Sequence, residues 1–159
     1  MNKLYLLLGS NMGNRQEQLA LAKKQLTKTL GPVRRQSKIY QTAAWGKKNQ
    51  PDFLNQVLIL ETKQDPASCM LLILEIEHDM GRTRTVKNAA RTIDIDILYF
   101  NKAVLTTTNL VIPHPAIQDR RFVLIPLNEL SPRFIHPVLG KSNHELLQEC
   151  TDPLDVKKI

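Results

Sequence analysis

Residues 90–100 read Ala-Arg-Thr-Ile-Asp-Ile-Asp-Ile-Leu-Tyr-Phe, and both the architecture and the chemistry turn on how this stretch is arranged. Ile93, Ile95, Ile97 and Tyr99 alternate with Asp94, Asp96, Leu98 and Phe100. A period of two in β-branched and aromatic residues predicts a strand whose odd-numbered side chains face a core. Asp94 and Asp96 then project together from the other side, their Cα atoms about 6.5–7 Å apart on an extended chain. Burying an unpaired carboxylate is costly, so something positive must sit against the pair. Magnesium fits, because it takes oxygen ligands and is commonly held by one or two carboxylates plus phosphate oxygens. Arg91 would then reach a phosphate bridged by that metal. A solvated edge strand, with either aspartate paired to Lys or Arg across the sheet, explains the spacing as well; Leu98 and Phe100 on the same side count against a wet surface.

Upstream, Arg82, Arg84, Lys87 and Arg91 put four cations into the ten residues 82–91, directly ahead of the acidic strand. Arginines there would clamp the phosphate oxygens that a metal leaves free, although a solvated charge run has the same spacing. Before it, Asp65-Pro66 supplies an N-cap and a first-turn proline for a helix carrying Leu71, Leu72, Leu74, Ile76 and Glu77 towards Met80-Gly81. Phe53 to Thr62 and Val33 to Gln41 have strand pattern, separated by a loop with the sole tryptophan, Trp45. Loops of about ten residues in a compact domain are usually functional or mobile, and a Trp there also serves simply as an anchor onto the core. Leu19, Ala22, Leu26 and Leu30 recur at helical spacing, predicting a helix from Asn14 to Leu30 closed by Gly31-Pro32. Residues 3–8, Lys-Leu-Tyr-Leu-Leu-Leu, form a buried strand running into the turn Gly9-Ser10-Asn11.

Downstream, Asn101-Lys102 is a turn and Ala103 to Leu105 a returning strand that makes a hairpin with 93–100. Pro113 and Pro115 bracket His114 on a stiff, non-helical segment. Such a histidine is either a structural hydrogen-bonder or a positioned ligand contact. Phe122 to Leu130 packs inward as helix or turn, Ser142 and Glu145 form a capping box for a last short helix, and the tail after Pro153 is expected to fray.

The chain has 159 residues with 22 Lys and Arg against 15 Asp and Glu, a net charge of +7. That is one domain, 1–159, able to bury a core, and its sign suits a polyanionic partner such as nucleic acid or a nucleotide. The basic, then apolar start, Met1 to Leu8, is too short an apolar run for a signal peptide, and no run approaches a membrane span. Cys69 and Cys150 lack metal-type spacing and read as reduced thiols of a cytoplasmic protein. There is no Walker A loop and no Gly-x-Gly-x-x-Gly.

Taken together, Gly9-Ser10-Asn11, Thr42 to Gly46, Gln50 to Asn55, Gly81-Arg82-x-Arg84, Arg91-Thr-Ile-Asp94-Ile-Asp96, Pro113-His114 and Arg120-x-Phe122 resemble the 6-hydroxymethyl-7,8-dihydropterin pyrophosphokinases of folate biosynthesis, in order and spacing from about residue 3 to about residue 137. The resemblance implies an α+β fold with a ferredoxin-like core, an α/β/α sandwich on a mainly antiparallel sheet. It implies transfer of pyrophosphate from ATP to a reduced pterin, releasing AMP, with two Mg2+ ions on Asp94 and Asp96. By the same resemblance, Arg82, Arg91 and Asp96 are catalytic, with Asp96, or water on its metal, accepting the hydroxyl proton. Glu77, Arg84, Arg91, Ile97, His114 and Arg120 serve ATP, and Thr42, Ala43, Trp45, Phe53, Asn55 and Phe122 form the pterin pocket. Three departures from the family pattern stand out: Ala44 replaces a usual proline, Asn88 lies near the usual site of a tryptophan that closes over the substrates, and Pro115 replaces a common aromatic. The implied enzyme is a monomer acting on small molecules, without nucleic acid or membrane. Two other classes remain to be separated from it: a basic nucleic-acid-binding domain, expected to bind any duplex in a salt-dependent way, and a metal-dependent phosphodiesterase or nuclease.

Overall fold

The computed structural model describes residues 1–43, 51–81 and 92–159. Strand β1 (Asn2–Ser10) lies at the centre of the sheet, and its unbroken apolar run follows from burial on both faces. Leu4, Leu6 and Leu8 enter one core, while Tyr5 and Leu7 enter a second. Helix α1 (Arg15–Thr29) starts where the Asn14 side chain accepts from the Glu17 amide, and it packs Leu19, Ala22 and Leu26 onto the first core. At Gly31 the chain turns with φ of 147°, and an added Cβ would lie 2.0 Å from the Glu61 carbonyl oxygen; no side chain fits between helix end and strand.

The expected strand from Val33 to Gln41 is two pieces, β2 (Val33–Gln36) and β3 (Tyr40–Thr42), both antiparallel to β4 (Phe53–Thr62). The break falls at Ser37, whose amide donates to the Val57 carbonyl and whose hydroxyl accepts from the Val57 amide at 2.9 Å. Helix α2 (Pro66–Asp79) begins as expected at Asp65, which accepts from the Ser68 amide at 2.8 Å. Its inward face is Cys69, Ile73, Ile76 and Glu77, while Leu71 and Leu74 are exposed.

Strand β5 (Asp94–Phe100) pairs antiparallel with β1 and closes the order β5-β1-β4 followed by β2 and β3. This is the antiparallel ferredoxin-like arrangement. The alternation expected through residue 100 breaks at Leu98: Tyr5 faces Tyr99, but Leu6 faces Ile97. The extra residue is a bulge, so Tyr99 joins the core with Leu98, and Phe100 returns to the core with Ile97. Residues 103–105 do not return along β5. Instead β6 (Leu105–Thr106) pairs with β7 (Val111–Ile112) in a separate two-stranded sheet.

Helix α3 (Arg121–Leu130) and helix α4 (Asn143–Glu149), the latter with the predicted Ser142/Glu145 capping box, cover the second face. Helices therefore lie on both sides of the sheet, as the sandwich reading requires. The tail is not frayed: β8 (Val156–Lys158) pairs with β3 and extends the sheet. No helix among the described residues is long and apolar enough to cross a membrane.

Candidate active site

The site is built on one row of the sheet. Asp94 lies opposite Gly9, Gly9 opposite Asn55, and Asn55 opposite Tyr40. Residues in register share a face, here the α3 face, to which the buried Tyr40 reaches with a 2.5 Å hydrogen bond from its hydroxyl to Glu129. Burial and that carboxylate push the Tyr40 phenol up to about 12. Asp96, opposite Leu7, and Thr42, opposite Phe53, stand on the same face one pleat to either side. Strands are about 4.8 Å apart, so roughly 10 Å separates Asp94 from Asn55, with only a glycine between them.

Gly9 makes this floor possible. A Cβ there would lie 2.9 Å from Asn55 Oδ1 and 3.8 Å from the Phe53 ring. The buried Asn55 is fixed in turn, its Nδ2 donating to Thr42 Oγ1 at 3.0 Å. Ala43 follows β3 and is exposed. The residue type of Gly9 alone does not announce this role; the signals in the sequence were the end of the Leu4–Leu8 run and the place of Gly9-Ser10-Asn11 in the resemblance.

Near the acidic end of the row, His114 is close enough to Arg120 and Asp94 to feel both charges, and Arg120 stands beside Phe122. The Arg120 guanidinium lies 5.7 Å from the centroid of the Phe122 ring. His114 is held below the usual histidine range, chiefly by burial and then by Arg120, against the opposing pull of Asp94. His114 Nδ1 accepts from the Ala116 amide at 3.1 Å, which leaves Nε2–H as the donor of the neutral ring. The same residue's amide donates to the Leu98 carbonyl at 3.0 Å, on the outer edge of β5.

Glu77 closes that edge from α2. Its carboxylate, 1% exposed, accepts from the Ile95 amide at 2.7 Å, so it orders the strand between the two aspartates. Beyond it a cavity of about 280 Å³ is lined by Met70, Leu74, Ile97, Leu110 and His114, with Asp96 also on its wall.

Residues 5–132 match the 7,8-dihydro-6-hydroxymethylpterin-pyrophosphokinase (HPPK) family. The chain belongs to this family. It is 38% identical over 151 residues to a 2-amino-4-hydroxy-6-hydroxymethyldihydropteridine pyrophosphokinase of Aquifex aeolicus, covering 95% of this chain and 94% of that one. It is likewise 38% identical over 138 residues to the folic acid synthesis protein FOL1 of Dictyostelium discoideum, which covers 87% of this chain but only 21% of that protein. The chain thus spans about a fifth of such longer relatives. A crystal structure of Plasmodium falciparum HPPK-DHPS with pteroate superposes with a TM-score of 0.77 at 19% identity, over 93% of this chain and 42% of that one. That likeness shows the fold.

Of the residues that the HPPK resemblance singled out, Thr42, Phe53 and Asn55 share the α3 face with Asp94 and Asp96, while His114 lies near Asp94 and Arg120, and Arg120 near Phe122. Ile97 points into the core on the α1 and α2 side and meets the site only through the edge cavity. Trp45, Arg82, Arg84 and Arg91, together with the departures Ala44 and Asn88, lie outside the described residues. Asp94 and Asp96 are half-buried, and neither is without a partner. Among the described residues no three His, Cys, Asp or Glu side chains form a metal-holding group. Two hard oxygen donors on one strand face are nonetheless a fitting set for magnesium that draws its other ligands from phosphates and water.

Proposed function

We propose that this chain transfers a pyrophosphoryl group from ATP to the hydroxymethyl oxygen of 6-hydroxymethyl-7,8-dihydropterin, giving the pterin diphosphate and AMP. The observation that carries the reading is the shared row. A flat bicyclic ring laid on Gly9, with its amide edge at Asn55 and Thr42 and its face under Phe122, directs its hydroxymethyl arm at Asp94 and Asp96. Phe53, Ala43 and Trp45 complete the pocket.

The edge cavity, with Ile97 and His114 on its wall and Asp96 at its inner side, suits the nucleoside of ATP. From there a triphosphate runs across β5 past the Nε2–H of His114 and the guanidinium of Arg120, with Arg84 also along it. Glu77 contributes by holding β5 in place. Asp94 and Asp96 would hold two Mg2+ ions, whose chemistry is to gather phosphate oxygens and ease charge repulsion between nucleotide and acceptor.

The pterin oxygen attacks the β-phosphorus, the bond to the bridging oxygen of the α-phosphate breaks, and AMP leaves. Asp96, or water on the metal it would hold, takes the hydroxyl proton. Charge spreads over nonbridging oxygens, so the work is positioning and electrostatics, and Arg82 and Arg91 stabilise that charge. In the same reading the enzyme acts as a cytoplasmic monomer without nucleic acid. Two free thiols, Cys69 and Cys150, agree with a reducing compartment.

Product analysis tests the proposal. ATP, magnesium and hydroxymethyldihydropterin should yield AMP and pterin diphosphate in equal amounts, with no AMP once magnesium is chelated. ADP as the nucleotide product, or hydrolysis without the pterin, contradicts it.

A further inference from the structure

Helix α3 presents Arg120 and Phe122 to the site, yet it starts without a cap of its own: the Arg120 side chain makes no hydrogen bond to the first turn. The missing acceptor comes from the far end of the chain. The Arg121 amide donates to Asp152 Oδ2 at 3.1 Å, and the other oxygen of the same carboxylate accepts from the Leu154 amide at 3.0 Å. Four residues beyond Asp152 the chain enters β8. There Val156 faces Thr42, Lys157 faces Gln41 and Lys158 faces Tyr40, and the Ile159 amide donates to the Ile39 carbonyl at 3.0 Å. β3 spans only Tyr40–Thr42, and its other neighbour is β4.

One short segment is therefore bonded to both walls of the pocket: the helix end that carries Phe122, and the strand whose Thr42 holds Asn55. From Asp152 to Val156 the chain can span at most about 14 Å, which limits how far those walls separate. We propose that residues 151–159 act as a tie that sets the width of the pterin pocket before substrate arrives, with Asp152 as a positioning residue at the helix wall and β8 as the anchor at the sheet wall. The inference rests on the reading of this pocket as the pterin site.

The tie is separable from the fold. None of residues 151–159 is buried, and none belongs to either hydrophobic core. Near Asp152 and Pro153 lies a cavity of about 550 Å³, bordered on its other side by Leu139 and Leu146. Hydrogen bonds, not apolar burial, hold the segment down, so releasing it should loosen the pocket while both cores stay packed. The segment also lies beyond the residues that match the family, which end at 132.

The test uses the full chain with Asp152→Ala and, separately, Lys157→Pro. The Ile159 to Ile39 bond makes that pair a hydrogen-bonded rung; in an antiparallel ladder such rungs recur at every second position, so proline at 157 removes a donor to β3. Each variant should raise the KM for hydroxymethyldihydropterin about tenfold; Lys157→Pro, at the sheet wall, should leave the Kd for α,β-methylene-ATP within about twofold of wild type, and Asp152→Ala, next to Arg120, should weaken it by less than it weakens the pterin. Asp152→Asn, which keeps one of the two acceptor oxygens, should recover part of the loss. A pterin KM within about twofold of wild type in folded Asp152→Ala overturns the proposal, as does equal weakening of pterin and nucleotide, which marks general loosening. Should Lys157→Pro fail to fold, Asp152→Ala decides alone. A wild-type chain that does not bind the pterin would instead overturn the underlying reading, and the inference with it.

Discussion

The two faces of the central sheet are made from alternate residues of the same strands, and they finish differently. Towards α1 and α2, Leu4, Leu6, Leu8, Leu54, Leu58 and Leu60 meet an aliphatic layer that runs the length of β1 and β4. Towards α3 and α4, packing of the same quality around Tyr5, Leu7, Val57, Ile59 and Tyr99 stops part-way. The next row is Asp94, Gly9, Asn55 and Tyr40. One core ends a row early, and a glycine, an amide and a carboxylate take over the strand positions, which is the floor that the proposed reading uses. The difference between the faces predicts which substitutions should cost activity and which should cost stability.

The largest effect belongs to the open half. Asp96→Ala should lower AMP release by about 10³-fold, on the scale of removing a central electrostatic group, in a chain that still folds. A folded variant retaining more than a tenth of wild-type activity would break the assignment. The sealed face should give the converse. Ile73→Ala removes a fully buried side chain and should cost about 3 kcal/mol in urea unfolding, while kcat measured below the transition stays within about twofold.

A smaller effect comes from the boundary between the halves. In Gly9→Ala the added Cβ meets Asn55 Oδ1 at 2.9 Å, so Asn55 must shift. Pterin affinity should fall about tenfold while binding of an ATP analogue, read by calorimetry, is unchanged. Weakening of both ligands would mean that the floor is not the pterin side of the site.

The smallest effect is a pH dependence in the packed part of the α3 and α4 side, where His136 meets the Tyr99 ring edge-on with centroids 5.7 Å apart. His136 is buried, and its Nδ1 accepts from the Val138 and Leu139 amides at 3.2 and 3.0 Å. Burial holds it below the usual histidine range. The folded state therefore binds the proton less well than the unfolded chain, so the stability is fully present above pH of about 6.5 and is lost as pH falls through the lower folded value. His136→Gln should flatten that part of a stability profile measured by chemical denaturation; an unchanged slope assigns it elsewhere.

Where local signals and tertiary partners agreed, the sequence was readable. The Asn14 to Gly31 helix, the Asp65-Pro66 start and the Ser142/Glu145 box each carry their own cap, so they formed where expected. The parity of Asp94 and Asp96 was readable too, because it needs only the pleat. What lay beyond local reading depends on distant partners. Leu98 bulges on an edge where the His114 amide takes its carbonyl, and this reverses the sides of Tyr99 and Phe100. Val156-Lys157-Lys158 has no apolar alternation and becomes a strand only because β3 offers an edge. Residues 103–105 turn to Val111–Ile112 instead of back to β5. The proposed pocket would join Thr42, Asn55 and Phe122 from three elements, and no single stretch of chain announces that meeting; only the likeness to the pyrophosphokinases named those residues together.

The claim that the polar row is the reacting floor is tested most directly by backbone amide NMR of the full chain. Hydroxymethyldihydropterin would be titrated in the presence of magnesium and α,β-methylene-ATP. The account predicts the largest shifts at Gly9, Thr42, Asn55, Asp94 and Asp96, with the Leu4, Leu6 and Leu58 amides nearly still. Shifts centred instead on the cavity between Leu139 and Pro153, with Gly9 and Asn55 unmoved, would contradict it.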